Sequence, residues 1–290
     1  MLYKYLPPQR AHIIFDGKIR FSQPCALNDP FESEFLIETR EHNEEYLRLH
    51  EENMKKIIAE QNEDLNNPFV QASYTAAVNQ VRAFILQKSY PSTVGREFAK
   101  SMNQRQGVLS LSRTNNNILM WSHYADSHKG IVLGLDETHD FFSGVDRMGL
   151  KRPPRNVVYS TKRQLVKAGD TQAFEKLMCQ KSLDWAYEEE VRLFRAFGTD
   201  EECLSFSPHQ IHLFELPKTC IKQVYIGMNA STELRAAIIA IGGAIYKDWE
   251  IFDTRVSDEH YELVFTKSQT YGYRQSDGYW TQELLRGLGQ

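Results

Sequence analysis

The sequence predicts an α+β fold: a mixed or antiparallel β core interrupted by one long helical insertion. Three observations carry that reading. Short runs with β-branched alternation, IRFS, GVLSLS and KGIVLGLD, lie on either side of a polar stretch. Within that stretch, at about 39–105, apolar residues return at helical spacing: Tyr46, Leu49, Met54, Ile57 and Ile58, then Val70, Tyr74, Val78, Val81 and Ile85. The C-terminal half is strand-rich again, through HLFELP, IKQVYIGM, EIFDTRVS and YELVFTK. The 290 residues suffice for one large core, and we read 1–290 as a single domain.

Taken in order, LYKYL opens the chain as a strand, PPQRAHIIFDG is a connection with a helical turn or two, and IRFS is the second strand. ALNDPFESEFLI follows, with Asn-Asp-Pro as a turn signal. After the helical insertion, GVLSLS returns to strand and NNNILMWSHYADS is a short helix opened by asparagine caps. KGIVLGLD is a strand, 143–156 a loop rich in Gly, Arg and Pro, and NVVYS a strand. TQAFEKLMCQKSLDW reads as an amphipathic helix, VRLF as a strand and STELRAAIIAIGG as a helix. The tail YGYRQSDGYWTQELLRGLGQ is aromatic and polar and is expected to wrap the surface. There is no internal repeat and no low-complexity segment.

Hydrophobic content of 41% with 25% charged residues describes a globular protein, and a net charge of −4 gives no general attraction to nucleic acid or to anionic membranes. The cysteines, Cys25, Cys179, Cys203 and Cys220, are widely spaced and form no CxxC pair, so reduced thiols are expected. MLYKYLPPQR lacks the features of a secretion signal, and no window approaches the ~18 apolar residues of a membrane span. The expected location is the cytoplasm.

No GxGxxG after a strand, Walker loop, HExxH or GxSxG is present. Three clusters stand out instead: LNDPFE (27–32), MWSHYADSH (120–128) and WAYEEEVR (185–192). In the first, Asn28 or Asp29 caps the turn set by Pro30, or else Asn28, Asp29 and Glu32 stand at the lip of a site. In the second, Trp121 and Tyr124 are three apart on one helix face, fit for the core or for an aromatic wall. His123 beside them can donate to a phosphate or ribose oxygen. His123 and His128 are five apart, poor spacing for two ligands of one metal, and no metal is expected. In the third, strand alternation makes Glu188, Glu190 and Arg192 project together, either as a surface ladder or as the edge of a site. A carboxylate fixed on a strand and held by Arg192 is placed to stabilise developing positive charge.

These clusters, in this order, resemble a bacterial family catalogued as domain of unknown function 2971. Its members share the opening Y-K-Y strand, an N-D-P-F-E loop, an S-L-S strand, an M-W-x-H-Y-A helix followed by G-I-x-L-G, and a W-x-Y-E-x-E-x-R segment. More distantly, the succession of elements is similar to ADP-ribosyltransferases of the DNA-modifying DarT type. That resemblance implies a split β core and NAD as substrate, with transfer of ADP-ribose to a macromolecular acceptor or hydrolysis of NAD, the activity of a toxin or phage-defence effector. It implies Glu190 as the residue stabilising the ribosyl cation, with Glu188 and Arg192 positioning it. Tyr5 and Ser110 would hold the dinucleotide, Tyr5 chosen among Tyr3, Lys4 and Tyr5 for the place where the superfamily has His or Arg, and Ser110, or else Ser112, for its second-motif hydroxyl; Trp121, His123 and Tyr124 would wall the cleft. Two other readings use the same residues: a non-catalytic nucleotide- or partner-binding protein, and a metal-dependent hydrolase or nuclease built on Asp29, Glu32, His123, His128 and the glutamates.

Overall fold

The computed structural model describes residues 1–32, 34–38, 40–86, 90–143, 153–167, 170–198, 201–205, 209–244 and 248–268. Most of the Gly/Arg/Pro loop at 143–156 and the whole aromatic tail from 271 lie outside the described residues.

The chain begins with β1 (Leu2–Leu6), the one-turn helix α1 (Ile13–Asp16) and β2 (Lys18–Phe21). Gly17 ends α1 in the left-handed region at φ 71°, which lets the chain reverse into β2. The short β3 (Leu36–Glu38) leads into α2 (Arg40–Glu60), α3 (Pro68–Ile85) and α4 (Tyr90–Arg105). Asn67 caps α3 by accepting from the Phe69 amide, with Pro68 at the first helical position, where its missing N–H is harmless.

Next come β4 (Gln106–Ser112), α5 (Ile118–Tyr124), β5 (Ile131–Leu135), and the short strands β6 (Arg155–Asn156), β7 (Val158–Ser160) and β8 (Leu165–Lys167). The expected helix TQAFEKLMCQKSLDW is broken into three pieces. Only α6 (Ala173–Met178) is α-helical; Gln180–Ser182 is strand β9, parallel to β7, and Leu183–Glu188 is a 3-10 helix. The reason is Lys181, whose buried ammonium faces three carboxylates that an uninterrupted helix would not bring to it. The chain then forms β10 (Glu190–Ala196), β11 (Glu202–Leu204), β12 (Ile211–Glu215), β13 (Ile221–Ile226), α7 (Thr232–Ala244), β14 (Glu250–Val256) and β15 (Leu263–Lys267).

Eight strands form one mixed sheet in the order β15-β14-β13-β5-β1-β4-β10-β6, with β13 and β14 parallel. β2 lies apart from it, in a three-stranded sheet with β12 and β11. Alternation along the central strands sends Leu2, Leu6, Leu109, Leu111, Val191 and Leu193 to one face, where they pack with the apolar side of α7. The opposite face carries two separate apolar clusters. One gathers Tyr5, Trp121, Val132 and Tyr225 around α5; the other gathers Phe35, Val108, Phe194 and Met178 with residues of α4. Between them, the same face of β4 and β10 is polar: Ser110, Ser112, Glu190 and Arg192.

The junction of β1 and β4 is unusual. β1 makes five register pairs with β5 but only one, Tyr3 with Ser112, with β4. Past that pair, Lys4 spans the gap, its Nζ donating to the Ser110 carbonyl at 2.8 Å. No helix among the described residues is long and apolar enough to cross a membrane.

Candidate active site

The polar island on the sheet borders a cavity of about 230 Å³. Its walls include Tyr3, Lys4 and Tyr5 from β1, Ser110 and Ser112 from β4, Tyr124 from α5, Asn28 and Glu32 from the LNDPFE loop, and Lys181, Glu188 and Glu190. That volume sits below the ~300–1,000 Å³ of sites that swallow a drug-sized ligand, so it suits one ring- or sugar-sized group.

The three consecutive glutamates resolve into two kinds. Glu188 and Glu190 are buried, while Glu189 is exposed. The expectation that all of Glu188, Glu190 and Arg192 alternate along one strand needs correction, because Glu188 ends the 3-10 helix and the strand starts at Glu190. Glu189 sits between them at φ 44°, a left-handed conformation that turns the backbone so that both neighbours point inward. The surface-ladder alternative is thereby excluded.

Arg192, 2% exposed, grips Glu190 with two nitrogens, Nε to Oε1 at 2.8 Å and NH2 to Oε2 at 2.9 Å. It also pairs with Glu32 and donates to the Met178 carbonyl at 2.7 Å. Lys181 lies 2.7 Å from Glu188, 3.4 Å from Glu32 and 3.5 Å from Glu190. Burial by itself would raise the Glu190 carboxyl, but Arg192, Lys181 and a hydrogen bond from the Ser110 hydroxyl outweigh it and hold the group at about 2. Burial instead wins at Glu32, which is raised against the pull of Arg192 and Lys181. The cluster thus places three carboxylates, Glu32, Glu188 and Glu190, in direct contact with two cations, Arg192 and Lys181.

The remaining expected residues separate. Tyr124 is in the site: burial and its 2.5 Å hydrogen bond to Glu188 raise its hydroxyl, and Asn28 Nδ2 donates to that same oxygen at 2.8 Å. Tyr5 contributes its ring, while its hydroxyl donates to the Thr114 carbonyl at 3.0 Å. Asp29 is buried in its turn and accepts from the Phe31 amide at 2.9 Å, the capping role, and does not line the cavity. Trp121 is not a cleft wall. It is fully buried behind Tyr5, edge-on to that ring at 5.7 Å, with its indole N–H on the Asn115 carbonyl. A helix of this length packed on a sheet turns its middle inward, and that puts Trp121 in the core while Tyr124, one turn on, faces the polar island. His123 is exposed beside Tyr187 and does not line the cavity. His128 stacks on the far side of Trp121. The residues of a metal centre are therefore dispersed, and among the described residues no three His, Cys, Asp or Glu are grouped to hold a metal ion.

Lys181 had no sequence signal, since it stood inside a segment with helical periodicity. Lys4 had a weak one, as an alternative to Tyr5 at the first-strand position that the resemblance implies.

A family model described as a protein of unknown function, DUF2971, matches residues 120–193. Over that span the chain is a DUF2971 match. The DUF2971 segment takes in α5 with Tyr124, Lys181, both buried glutamates and Arg192, so it covers most of the charged cluster. It stops short of the LNDPFE loop and the opening strand, which the resemblance read from the sequence had included. No curated protein and no solved structure matches the chain.

Proposed function

We propose that the cavity binds the nicotinamide-ribose end of NAD and that Glu190 stabilises the ribosyl cation as the glycosidic bond breaks. The ADP-ribose then passes to a macromolecular acceptor or to water. The observation that supports this reading is an ionised, strand-mounted carboxylate at the wall of a ring-sized cavity, in a cluster with one carboxylate in excess of its buried cations. An oxocarbenium-like state brings in the missing positive charge, and a pre-oriented carboxylate favours it over the ground state. Arg192 and Lys181 fix the carboxylate's position, while Tyr5, Ser110, Tyr124 and Asn28 supply the ring face and hydrogen bonds around the sugar. The split core of ADP-ribosyltransferases is part of the same proposal, and the single-pair junction of β1 and β4 supports it.

The test is incubation of the purified protein with millimolar NAD, following free nicotinamide and thermal unfolding together. Release of nicotinamide that falls at least 100-fold in Glu190→Gln is the expected result. Stabilisation without release would replace the reading with non-catalytic nucleotide binding. Neither signal would overturn it.

A further inference from the structure

Three cations, Lys4 at the cavity wall and Arg10 and Arg20 near it, make no direct ion pair with the carboxylate cluster among the described residues. Lys4 lines the cavity and, among the described residues, spends one of its three N–H donors, on the Ser110 carbonyl. Arg20 is on β2, two residues before Ser22, which also lines the cavity; residues so spaced on an extended strand share a side. Its Nε is buried and, among the described residues, has no hydrogen-bond partner. Arg10, partly buried, is in the turn that follows β1.

The three are neighbours, and among the described residues none of them is ion-paired to a carboxylate. Burial lowers Arg10; burial and Arg10 lower Arg20. Burial and both arginines bring Lys4 down to about 8, with Glu190 opposing. A buried guanidinium nitrogen without an acceptor is costly to keep unless an acceptor arrives. The three cations are opposite in sign to Glu190 and Glu188, and Lys4 shares the cavity wall with those two carboxylates.

We propose that Lys4, Arg10 and Arg20 form a phosphate-binding site that takes the diphosphate of a nucleotide whose other end enters the cavity. The fork of a guanidinium suits two phosphate oxygens, and Lys4 supplies a point charge on the cavity side. This deepens the nucleotide reading given above but does not depend on any bond being broken. It also explains why a cavity fit for one ring can belong to a dinucleotide site: the anionic half is held outside it.

The test is calorimetric titration with inorganic pyrophosphate and with ADP-ribose, at matched ionic strength, with sulfate as control. Wild-type protein is expected to bind pyrophosphate in preference to sulfate, with affinity falling at least tenfold in Arg10→Gln and in Arg20→Gln, and lost in the double variant. ADP-ribose is expected to bind more tightly than pyrophosphate and to compete with it. Should Arg20→Gln not fold, Arg10→Gln, whose side chain is partly exposed in a turn, carries the comparison. Absence of pyrophosphate binding to wild type, or equal binding to the Arg10→Gln protein, would overturn the site. Equal affinity for pyrophosphate and ADP-ribose would overturn its assignment to a nucleotide. Pyrophosphate binding is read with no nicotinamide released, which separates failure of this site from failure of the NAD chemistry.

Discussion

At the scale of single residues, the charged cluster shows how far alternation in a sequence can be trusted. The pair Glu190 and Arg192 was legible, because two residues apart on a strand means one face, and the structure puts both on the polar island. Glu188 was legible as a partner but for the wrong reason, since its inward turn depends on the left-handed Glu189. Lys181 was not legible: its neighbours obey a helical period, and only contacts with distant carboxylates pull it into a strand. Removing Arg192 leaves Glu190 and Glu32 buried without their main partner. Arg192→Met is therefore expected to lose on the order of 3–5 kcal/mol of stability in urea unfolding, and Arg192→Lys is expected to recover only part of that loss. A loss below about 1 kcal/mol would show that the clamp is dispensable. The pH dependence follows from the same groups. The Glu190 carboxyl lies at about 2 in the folded chain against 4.5 for an unperturbed glutamate, so its contribution is present above pH 4.5 and drains away as pH falls towards 2. Glu32, raised by burial, acts with the opposite sign: the folded chain takes up its proton first, which offsets part of that loss. Glu190→Gln is expected to flatten the acid limb of a stability-against-pH curve between 4.5 and 2; an unchanged limb would remove Glu190 as its source.

At the scale of elements, α5 ties the apolar cluster to the site. Asn117 accepts from the Leu119 and Met120 amides and donates through Nδ2 to the Tyr187 carbonyl, so one side chain both starts the helix and anchors the 3-10 turn that delivers Glu188. Asn117→Ala is expected to cost about 1–2 kcal/mol by chemical denaturation, at the upper end for a helix cap. Asn117→Asp keeps the acceptor but loses the donor, and is expected to fall between the two. A cost for Asn117→Ala within a few tenths of zero would show that the link to Tyr187 does not matter. The cap itself was legible from the run of asparagines before ILMW. The second role was not, because the partner is 70 residues away in sequence. The strands of the large sheet were readable from composition and alternation, whereas the assignment of β2 to a different sheet was not, since a strand's period says which face is apolar and nothing about its neighbour.

At the scale of the whole molecule, burial is unevenly spread. In α3 only Val78 and Ile85 are buried, and Phe69, Phe84 and Leu86 at and beside its ends are exposed, while every residue of β5 is buried. Helices that bury so little open locally at low free energy. Backbone amides of α2 and α3 are therefore expected to exchange with deuterium at least 100-fold faster than those of β4 and β5, and equal protection would show that the helical pair is covered in solution. The large sheet carries a further consequence of its one-pair junction. The five strands β15 to β1 and the three strands β4 to β6 are two leaves that share one register pair, Tyr3 with Ser112, flanked by the side-chain bonds of Lys4 to Ser110 and of Tyr5 to Thr114. Strands are ~4.8 Å apart, so a turn of about 5° at that spine carries the outermost edge roughly 2 Å. A group seated against both β1 and β4, whose residues share the cavity wall, is therefore expected to displace that far edge, and a β15–β6 distance that such a group leaves unchanged would show the two leaves to be rigidly joined.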